Sequence, residues 1–198
     1  MSDRPRDLII IGPPGSGKST LATALAERLG LVHINPGTQF RHMAAEESAT
    51  GRKIRDVMAE GGLVPSDVTD EIVRESLNAV PPEKGIVLEG YPRDAAQADT
   101  LRRLPAESGR LRPRPLVLRL ETPAQELLKR LRRRRDVEGR SDDSDDVIAH
   151  RLSEYDAETA RLVDALSDWA EVVAIDGARP VEAVTTEIVE RLRTSHAR

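Results

Sequence analysis

Residues 12–19 combine glycines, a lysine and a hydroxyl group at a spacing that suits phosphate chemistry. The segment reads GPPGSGKS, which matches G-x-x-x-x-G-K-[ST], and it directly follows the apolar run at 8–11. Glycines let successive backbone N–H groups turn inward around an anion, and a helix N-terminus adds a favourable dipole. Lys18 would then neutralise the β- and γ-phosphates, and Ser19 would ligate Mg²⁺ with Thr20 nearby. The segment predicts a phosphate-binding loop; the competing interpretation is a glycine-rich turn that binds nothing.

Arginines form the second group of residues with a chemical use. Arg41 ends HINPGTQFR and Arg93 lies in LEGYPRD, each after an apolar run, and four more surround a polar insert: Arg130, Arg134, Arg140 and Arg151. Guanidinium forks suit phosphate oxygens, and an enzyme that joins two phosphorylated substrates must offset several negative charges. The neighbouring arginines equally fit a solvated helix face: Arg132, Arg133 and Arg135.

Five short apolar runs must position these residues. They lie at 8–11, 31–34, 85–90, 115–120 and 171–175, and they alternate with helical patterns. Short apolar runs of this kind are typical of buried strands in a parallel sheet. The order of elements predicts an α/β protein of the three-layer P-loop NTPase fold, with a five-stranded parallel sheet, in a single domain over residues 1–198.

Two segments depart from this alternation. Residues 35 to about 80 carry helical patterns without a strand, and residues 134–146 form a charged insert. We expect both to be mobile covers over a site. In the acidic part of the insert, at 141–146, the carboxylates favour the start of the next helix, while the alternative is that Asp142 or Asp143 pairs with nearby arginines. His33 and His150 fit no metal pattern and are expected to be structural or surface groups.

Composition narrows the class of protein. The 198 residues carry a net charge of −4, which disfavours a general nucleic-acid surface, and they contain no cysteine, which excludes disulfides, thiolate metal sites and cysteine nucleophiles. The apolar run after the charged start is too short for a signal peptide or a membrane span. We therefore expect a cytoplasmic protein without a membrane partner.

Several motifs together resemble the adenylate kinase family of nucleoside monophosphate kinases. GPPGSGKST looks like the family's phosphate loop, HINPGTQFR like its H-I-S-T-G-D-x-x-R, and GGLVPSDV like its G-x-L-V-P stretch. EGYPRDAAQ is similar to D-G-[FY]-P-R-x-x-x-Q, RRRRDVEGRSDDSDDVIAHRLSEY to a short-lid version of the arginine-rich lid, and IDGARPVEAV to the closing strand and turn. The likeness runs through essentially the whole chain.

The resemblance implies transfer of the ATP γ-phosphoryl group to a nucleoside monophosphate, with Mg²⁺ as cofactor and these two nucleotides as partners. The ATP side would be formed by Gly15, Ser16, Gly17, Lys18, Ser19, Thr20, Arg134 and Arg179. The transferring group would meet Lys18, Arg93, Arg130, Arg140 and Arg151. The monophosphate would be held by Pro36, Arg41, Gly62, Leu63, Val64, Gly90, Arg93, Gln97, Arg140 and Arg151. By the same resemblance, residues 35–64 form a helical monophosphate-binding flap and residues 134–143 a short lid without room or ligands for structural zinc.

Three positions depart from the family pattern. Pro36 stands where threonine is usual, so that a hydroxyl near the acceptor base is missing, and Thr38 replaces an aspartate near the flap anchor. Glu89 replaces the aspartate that would order magnesium-bound water. Gln97 favours adenine as the acceptor base, because its amide can pair with the donor–acceptor edge of adenine, whereas Pro36 argues against it.

The leading interpretation is an adenylate kinase acting as a monomer. Its alternatives are a kinase for another nucleoside monophosphate and a non-catalytic nucleotide-binding regulatory module. A P-loop kinase of a hydroxylated metabolite is a further alternative, but it would need a carboxylate base where the third strand leads into Tyr-Pro-Arg.

Overall fold

A parallel sheet of five strands lies at the centre of the molecule. The computed structural model describes residues 7–81, 83–108, 114–138 and 144–195, with backbone alone at 105–108, 138 and 195. The strands are β1 (Leu8–Ile11), β2 (Val32–Ile34), β3 (Ile86–Glu89), β4 (Leu116–Glu121) and β5 (Glu171–Asp176). They pair in the order β2-β3-β1-β4-β5, and every pair is parallel. The five predicted strands and the parallel sheet are confirmed.

Helices connect the strands and cover the sheet. They are α1 (Lys18–Leu29), α2 (Pro36–Ala45), α3 (Ala49–Ala59), α4 (Ser66–Ala79), α5 (Ala95–Ser108), α6 (Ala124–Glu138), α7 (Asp145–Ser167) and α8 (Val181–Ser195). Parallel strands require such crossover connections, because a hairpin reverses the chain direction. No helix in the described part of the chain has the length and apolar character needed to cross a bilayer.

The side chains of β1 separate the two faces of the sheet. Ile9 and Ile11 pack with α4, α5 and α7 on one face, whereas Leu8 and Ile10 pack with α1 and α8 on the other. Successive residues of a strand point to opposite faces, so a strand covered on both sides reads as a continuous apolar run. This burial fixes the sheet as the middle of three layers, as the sequence pattern predicts.

The segment predicted as a flap has a small core of its own. Phe40, Ile54, Val64 and Ile72 are buried together between α2, α3 and the start of α4. The helices α2 and α3 are also in close contact, because a Cβ at Gly51 would overlap the carbonyl oxygens of Met43 and Glu46. The helical content of the segment is confirmed, and its mobility stays a prediction.

The predicted lid is described only in part. Arg134 lies within α6, which continues to Glu138, and α7 begins at Asp145 with Ser144 as its N-cap. Residues 139–143, and with them Arg140, Asp142 and Asp143, lie outside the described residues. The prediction that acidic residues start the second helix is confirmed for Asp145 and Asp146.

Candidate active site

The loop from β1 to α1 depends on backbone conformations that favour glycine. Gly15 and Gly17 have φ values of 80° and 94°, in the left-handed region that other residues rarely adopt. A Cβ on Gly15 would lie 2.8 Å from Leu131 Cγ, so that α6 packs directly against the loop. The predicted strand, glycine loop and helix are therefore all present in the required order.

Polar side chains line this loop from within. Ser16 is fully buried, and its Oγ has no hydrogen-bond partner in the described structure. Lys18 Nζ donates to the carbonyl oxygens of Gly12 and Pro13, each at 2.8 Å. Because buried polar groups without partners are rare, the Ser16 hydroxyl indicates a loop shaped to meet a polar ligand.

The carboxylate of Glu89, at the end of β3, lies beside the start of α1. Ser19 Oγ donates to Glu89 Oε1 at 2.5 Å, and the other oxygen, Oε2, lies 2.9 Å from both His33 Nε2 and Asn35 Nδ2. Burial alone would raise the pKa of Glu89, but hydrogen bonds from His33 and Ser19 and the charge of Lys18 hold that pKa below its usual value. Glu89 is therefore an anion at the carboxyl edge of the sheet.

Ser19 and Glu89 are the residues that fit a magnesium ion. The Ser19 hydroxyl donates a hydrogen bond to Glu89, so the lone pairs of the serine oxygen stay available to a metal ion. The anionic carboxylate of Glu89 can bind metal-bound water. Within the described residues, no group of three or more His, Asp or Glu side chains is arranged to hold a metal alone. This donor set suits Mg²⁺, which usually keeps several waters and takes further ligands from substrate phosphates.

Positive charge accumulates where the loop meets the neighbouring helices. Burial, together with the charges of Arg93, Arg151 and Arg134, lowers the pKa of Lys18 to about 7, although the charge of Glu89 acts in the opposite direction. The arginine charges thus make the protonated form of Lys18 less favourable. An anion bound among them would relieve this repulsion, so the arrangement is suited to a polyphosphate.

A cleft opens between the flap and the end of β3. It is lined by residues from α2, the α3–α4 connection, the turn after β3, α5 and α7, among them Pro36, Arg41, Gly62, Leu63, Val64, Gly90, Arg93, Gln97 and Arg151. This set contains every residue predicted for the monophosphate side except Arg140, which lies outside the described residues. The fold therefore brings together residues from distant segments of the chain into one concave surface with arginines on it.

Two residues of the cleft are fixed by hydrogen bonds. Arg93 Nε donates to Gly90 O at 3.0 Å, and the Arg93 backbone N–H donates to Gln97 Oε1 at 2.9 Å. Gln97 is almost fully buried, and its Nε2 also donates to Ser66 Oγ at 3.2 Å. Gln97 thus supports the turn that carries Arg93, a role that the sequence reading did not assign to it.

The remaining predicted arginines differ in their surroundings. Arg130 donates to Glu126 Oε1 at 2.8 Å, to Gly177 O at 2.9 Å and to Ser16 O at 3.4 Å, so that it fastens the glycine loop to α6 and the turn after β5.

Arg179 is exposed and pairs with Glu187 on α8 at 2.7 Å. Arg41, also exposed, donates to Thr38 Oγ1 at 2.8 Å. Phosphate contacts by these arginines stay predictions.

Two arginines that the sequence left as surface groups have a partner across the base of the lid. Arg132 and Arg135 of α6 both donate to the carboxylate of Asp145, at 3.4 Å and 3.1 Å for the shortest contact of each. All three side chains are exposed, so these pairs contribute little to stability. The acidic insert therefore both starts α7 and pairs with arginines, through Asp145.

Sequence reasoning missed the partners of Glu89. His33 was expected to be a structural or surface group, and Asn35 was given no role, yet both contact the same carboxylate oxygen. The available signal was their position along the chain. His33 is the second-last residue of β2 and Asn35 directly follows that strand, and β2 pairs with β3, which ends at Glu89. Polar residues at the carboxyl ends of adjacent parallel strands meet at one edge.

Comparisons with known proteins agree with this geometry. The family model for adenylate kinase matches residues 10–171. The adenylate kinase of Kocuria rhizophila is 40% identical over 185 residues, which cover 93% of this chain and 97% of that protein. The adenylate kinase of Pseudarthrobacter chlorophenolicus is 37% identical over 96% of this chain and 98% of its own, and that of Micrococcus luteus is 36% identical over 92% and 88%.

Proposed function

The chain belongs to the adenylate kinase family, and we propose that it is a phosphotransferase that catalyses ATP + AMP ⇌ 2 ADP. The observation that carries this proposal is the group of Arg93, Arg134 and Arg151 whose charges act on Lys18 of the glycine loop, two of which, Arg93 and Arg151, also line the cleft. A donor polyphosphate on the loop and an acceptor phosphate in the cleft would meet at this cluster.

The chemistry requires no general base. An ionised oxygen of the AMP phosphate attacks the γ-phosphorus of ATP, the bond from that phosphorus to the β–γ bridging oxygen breaks, and ADP leaves. No proton has to move, so catalysis depends on alignment and on stabilising charge on the transferred group. This agrees with a site in which cations outnumber carboxylates.

We assign distinct roles to the cations. Lys18, Arg93 and Arg151 contact the phosphoryl oxygens, where they stabilise the transition state more than the bound substrates. Arg134 contacts ATP, and Arg140 and Arg179 are assigned to phosphate by resemblance alone. Arg130 is a positioning residue in this scheme, because its described hydrogen bonds hold the glycine loop in place.

Ser19 and Glu89 are the residues that would hold magnesium, Ser19 directly and Glu89 through metal-bound water. When bound with ATP, the ion would offset negative charge on the β- and γ-phosphates. The longer side chain of glutamate, compared with aspartate, keeps the carboxylate within reach of Ser19 Oγ at 2.5 Å.

The acceptor nucleoside would lie along residues 62–64, with its phosphate toward Arg41, Arg93 and Arg151. Gln97 would face the adenine edge, although its amide already bonds to Arg93 N and Ser66 Oγ. A base contact would therefore have to share that amide. Closure of the flap and lid would exclude water and prevent hydrolysis of ATP.

We also propose that the protein acts as a monomer in the cytoplasm without a nucleic-acid partner. Both substrates are small soluble nucleotides, and all the residues assigned to the reaction come from one chain. Light scattering on purified protein tests the oligomeric state.

A coupled assay of ADP formation tests the proposed reaction. ATP and Mg²⁺ are supplied with AMP, GMP, CMP, UMP or dAMP in separate reactions, together with a control without acceptor. We expect turnover that depends on AMP. Turnover with GMP, CMP or UMP in place of AMP would show that the acceptor base is not adenine. ATP binding without turnover of any acceptor would instead support a regulatory module.

A further inference from the structure

Asn35 connects two parts of the site through one side chain. Its Nδ2 donates to Glu89 Oε2 at 2.9 Å, and its Oδ1 accepts a hydrogen bond from the backbone N–H of Thr38 at 3.3 Å. The second contact makes Asn35 the N-cap of α2, the first helix of the flap. The strand-end carboxylate is thus linked directly to the first turn of the flap.

The contacts of Glu89 show what this link can do. Oε1 accepts from Ser19, while Oε2 is met by His33 and Asn35. His33 belongs to β2 and is fixed by the sheet, whereas Asn35 lies at the start of the flap. Among the described partners of Glu89, Asn35 is therefore the one whose position depends on α2.

The amino-acid types at the two positions fit together. In the family pattern H-I-S-T-G-D, serine stands at the position of Asn35, and the family's strand-end acid is aspartate. This chain has a longer, amide-bearing side chain opposite a longer acid. The amide donates from Nδ2 to the carboxylate while its oxygen caps the helix, so that one side chain makes both contacts.

We propose that Asn35 is a positioning residue that holds the Glu89 carboxylate toward Ser19 and couples the flap to the magnesium–nucleotide end of the site. The proposal rests on the proposed function, since it assigns a use to Glu89 in that reaction. Removal of a residue that orients a metal-binding group commonly lowers metal affinity or activity by about 10- to 100-fold.

Three variants separate the two contacts of Asn35. Asn35→Ser keeps an N-cap but is too short to reach Glu89, and Asn35→Ala loses both contacts. Ser48→Ala is the matched control: Ser48 Oγ caps α3, the other flap helix, by accepting from Gly51 N at 2.9 Å. It removes a flap cap without a described contact to Glu89.

Two readouts apply to each variant. The first is kcat and KM for ATP as a function of Mg²⁺ concentration, and the second is calorimetric titration of Mg²⁺ into the enzyme–ADP complex, which needs no turnover. Urea unfolding is measured alongside. We expect Asn35→Ser and Asn35→Ala to lose about tenfold in Mg²⁺ affinity and in kcat/KM at limiting Mg²⁺, with stability lowered only in Asn35→Ala and Ser48→Ala.

Wild-type Mg²⁺ affinity in Asn35→Ser would overturn the proposal. An equal loss of Mg²⁺ affinity in Ser48→Ala would also overturn it, because a general weakening of the flap would then explain the effect. Failure of the proposed function is a separate result: the wild-type protein would lack AMP-dependent turnover, while the calorimetric comparison would still decide the role of Asn35.

Discussion

Arg93 is held at the end of β3 by contacts that leave part of its guanidinium group for the cleft. Its Nε donates to Gly90 O, and its backbone is fixed by Gln97, while the side chain lines the cleft beside Arg151. A charged donor fixed in this way stabilises developing negative charge without having to reorganise. These contacts make Arg93 the strongest single candidate for a residue acting on the transferred phosphoryl group.

Replacing Arg93 by alanine should therefore remove about 3 kcal/mol or more of transition-state stabilisation, which is measured as a lower kcat/KM for AMP. Steady-state kinetics at saturating MgATP measures the effect. Arg103→Ala is the control, because Arg103 is an exposed arginine of α5 whose described bond is to Thr100. Unchanged kcat/KM in the Arg93 variant would contradict the role.

Glycines with similar φ values should differ in effect according to their surroundings. Gly15→Ala combines φ of 80° with a 2.8 Å contact to Leu131 Cγ, whereas Gly30 has φ of 66° and nothing within 4 Å of an added Cβ. We expect Gly15→Ala to cost about 2–4 kcal/mol and to weaken ADP binding, and Gly30→Ala to cost about 1 kcal/mol with binding unchanged. Urea unfolding and ADP titration measure both. Equal effects would contradict direct packing of α6 on the loop.

At the scale of elements, the strands and the glycine loop were predictable because their signals are local. A strand buried on both faces must be apolar along its length, and Lys18 and Ser19 follow the glycines within a single turn. The contacts around Glu89 were not predictable from spacing alone, because they join residues 54 to 70 positions apart. The brace formed by Arg130 was missed for the same reason, since it joins α6 to Ser16 and Gly177.

The separate core of the flap predicts a selective effect on the acceptor. Ile54→Ala removes a buried side chain from that core, and Ile188→Ala removes one between α8 and the sheet. Each should cost about 2–5 kcal/mol in local or global stability. Ile54→Ala should raise KM for AMP severalfold more than KM for ATP, because residues of the flap line the cleft.

The KM values for AMP and ATP are compared by steady-state kinetics under conditions well below the unfolding midpoint of each variant. The control, Ile188→Ala, should leave the ratio of the two KM values unchanged. If both variants shifted that ratio equally, the flap would not act as a distinct acceptor element.

At the scale of the whole molecule, the parallel sheet explains why one site can hold two nucleotides. All five strands end at the same edge, so the loop after β1, Glu89 at the end of β3 and the residues after β2 converge there. The flap covers this edge, and Arg151 of α7 lines the cleft beside it. The chain carries a net charge of −4, yet the charges of three arginines act on Lys18 near this edge.

We expect one phosphoryl group to pass directly between two nucleotides bound at this edge. Incubation of the protein with γ-labelled ATP, unlabelled AMP and Mg²⁺, followed by separation of the products, tests it most directly. The predicted result is label in the β-phosphate of ADP, appearing only when AMP is present. Label released as inorganic phosphate, or retained in ATP despite nucleotide binding, would contradict the claim.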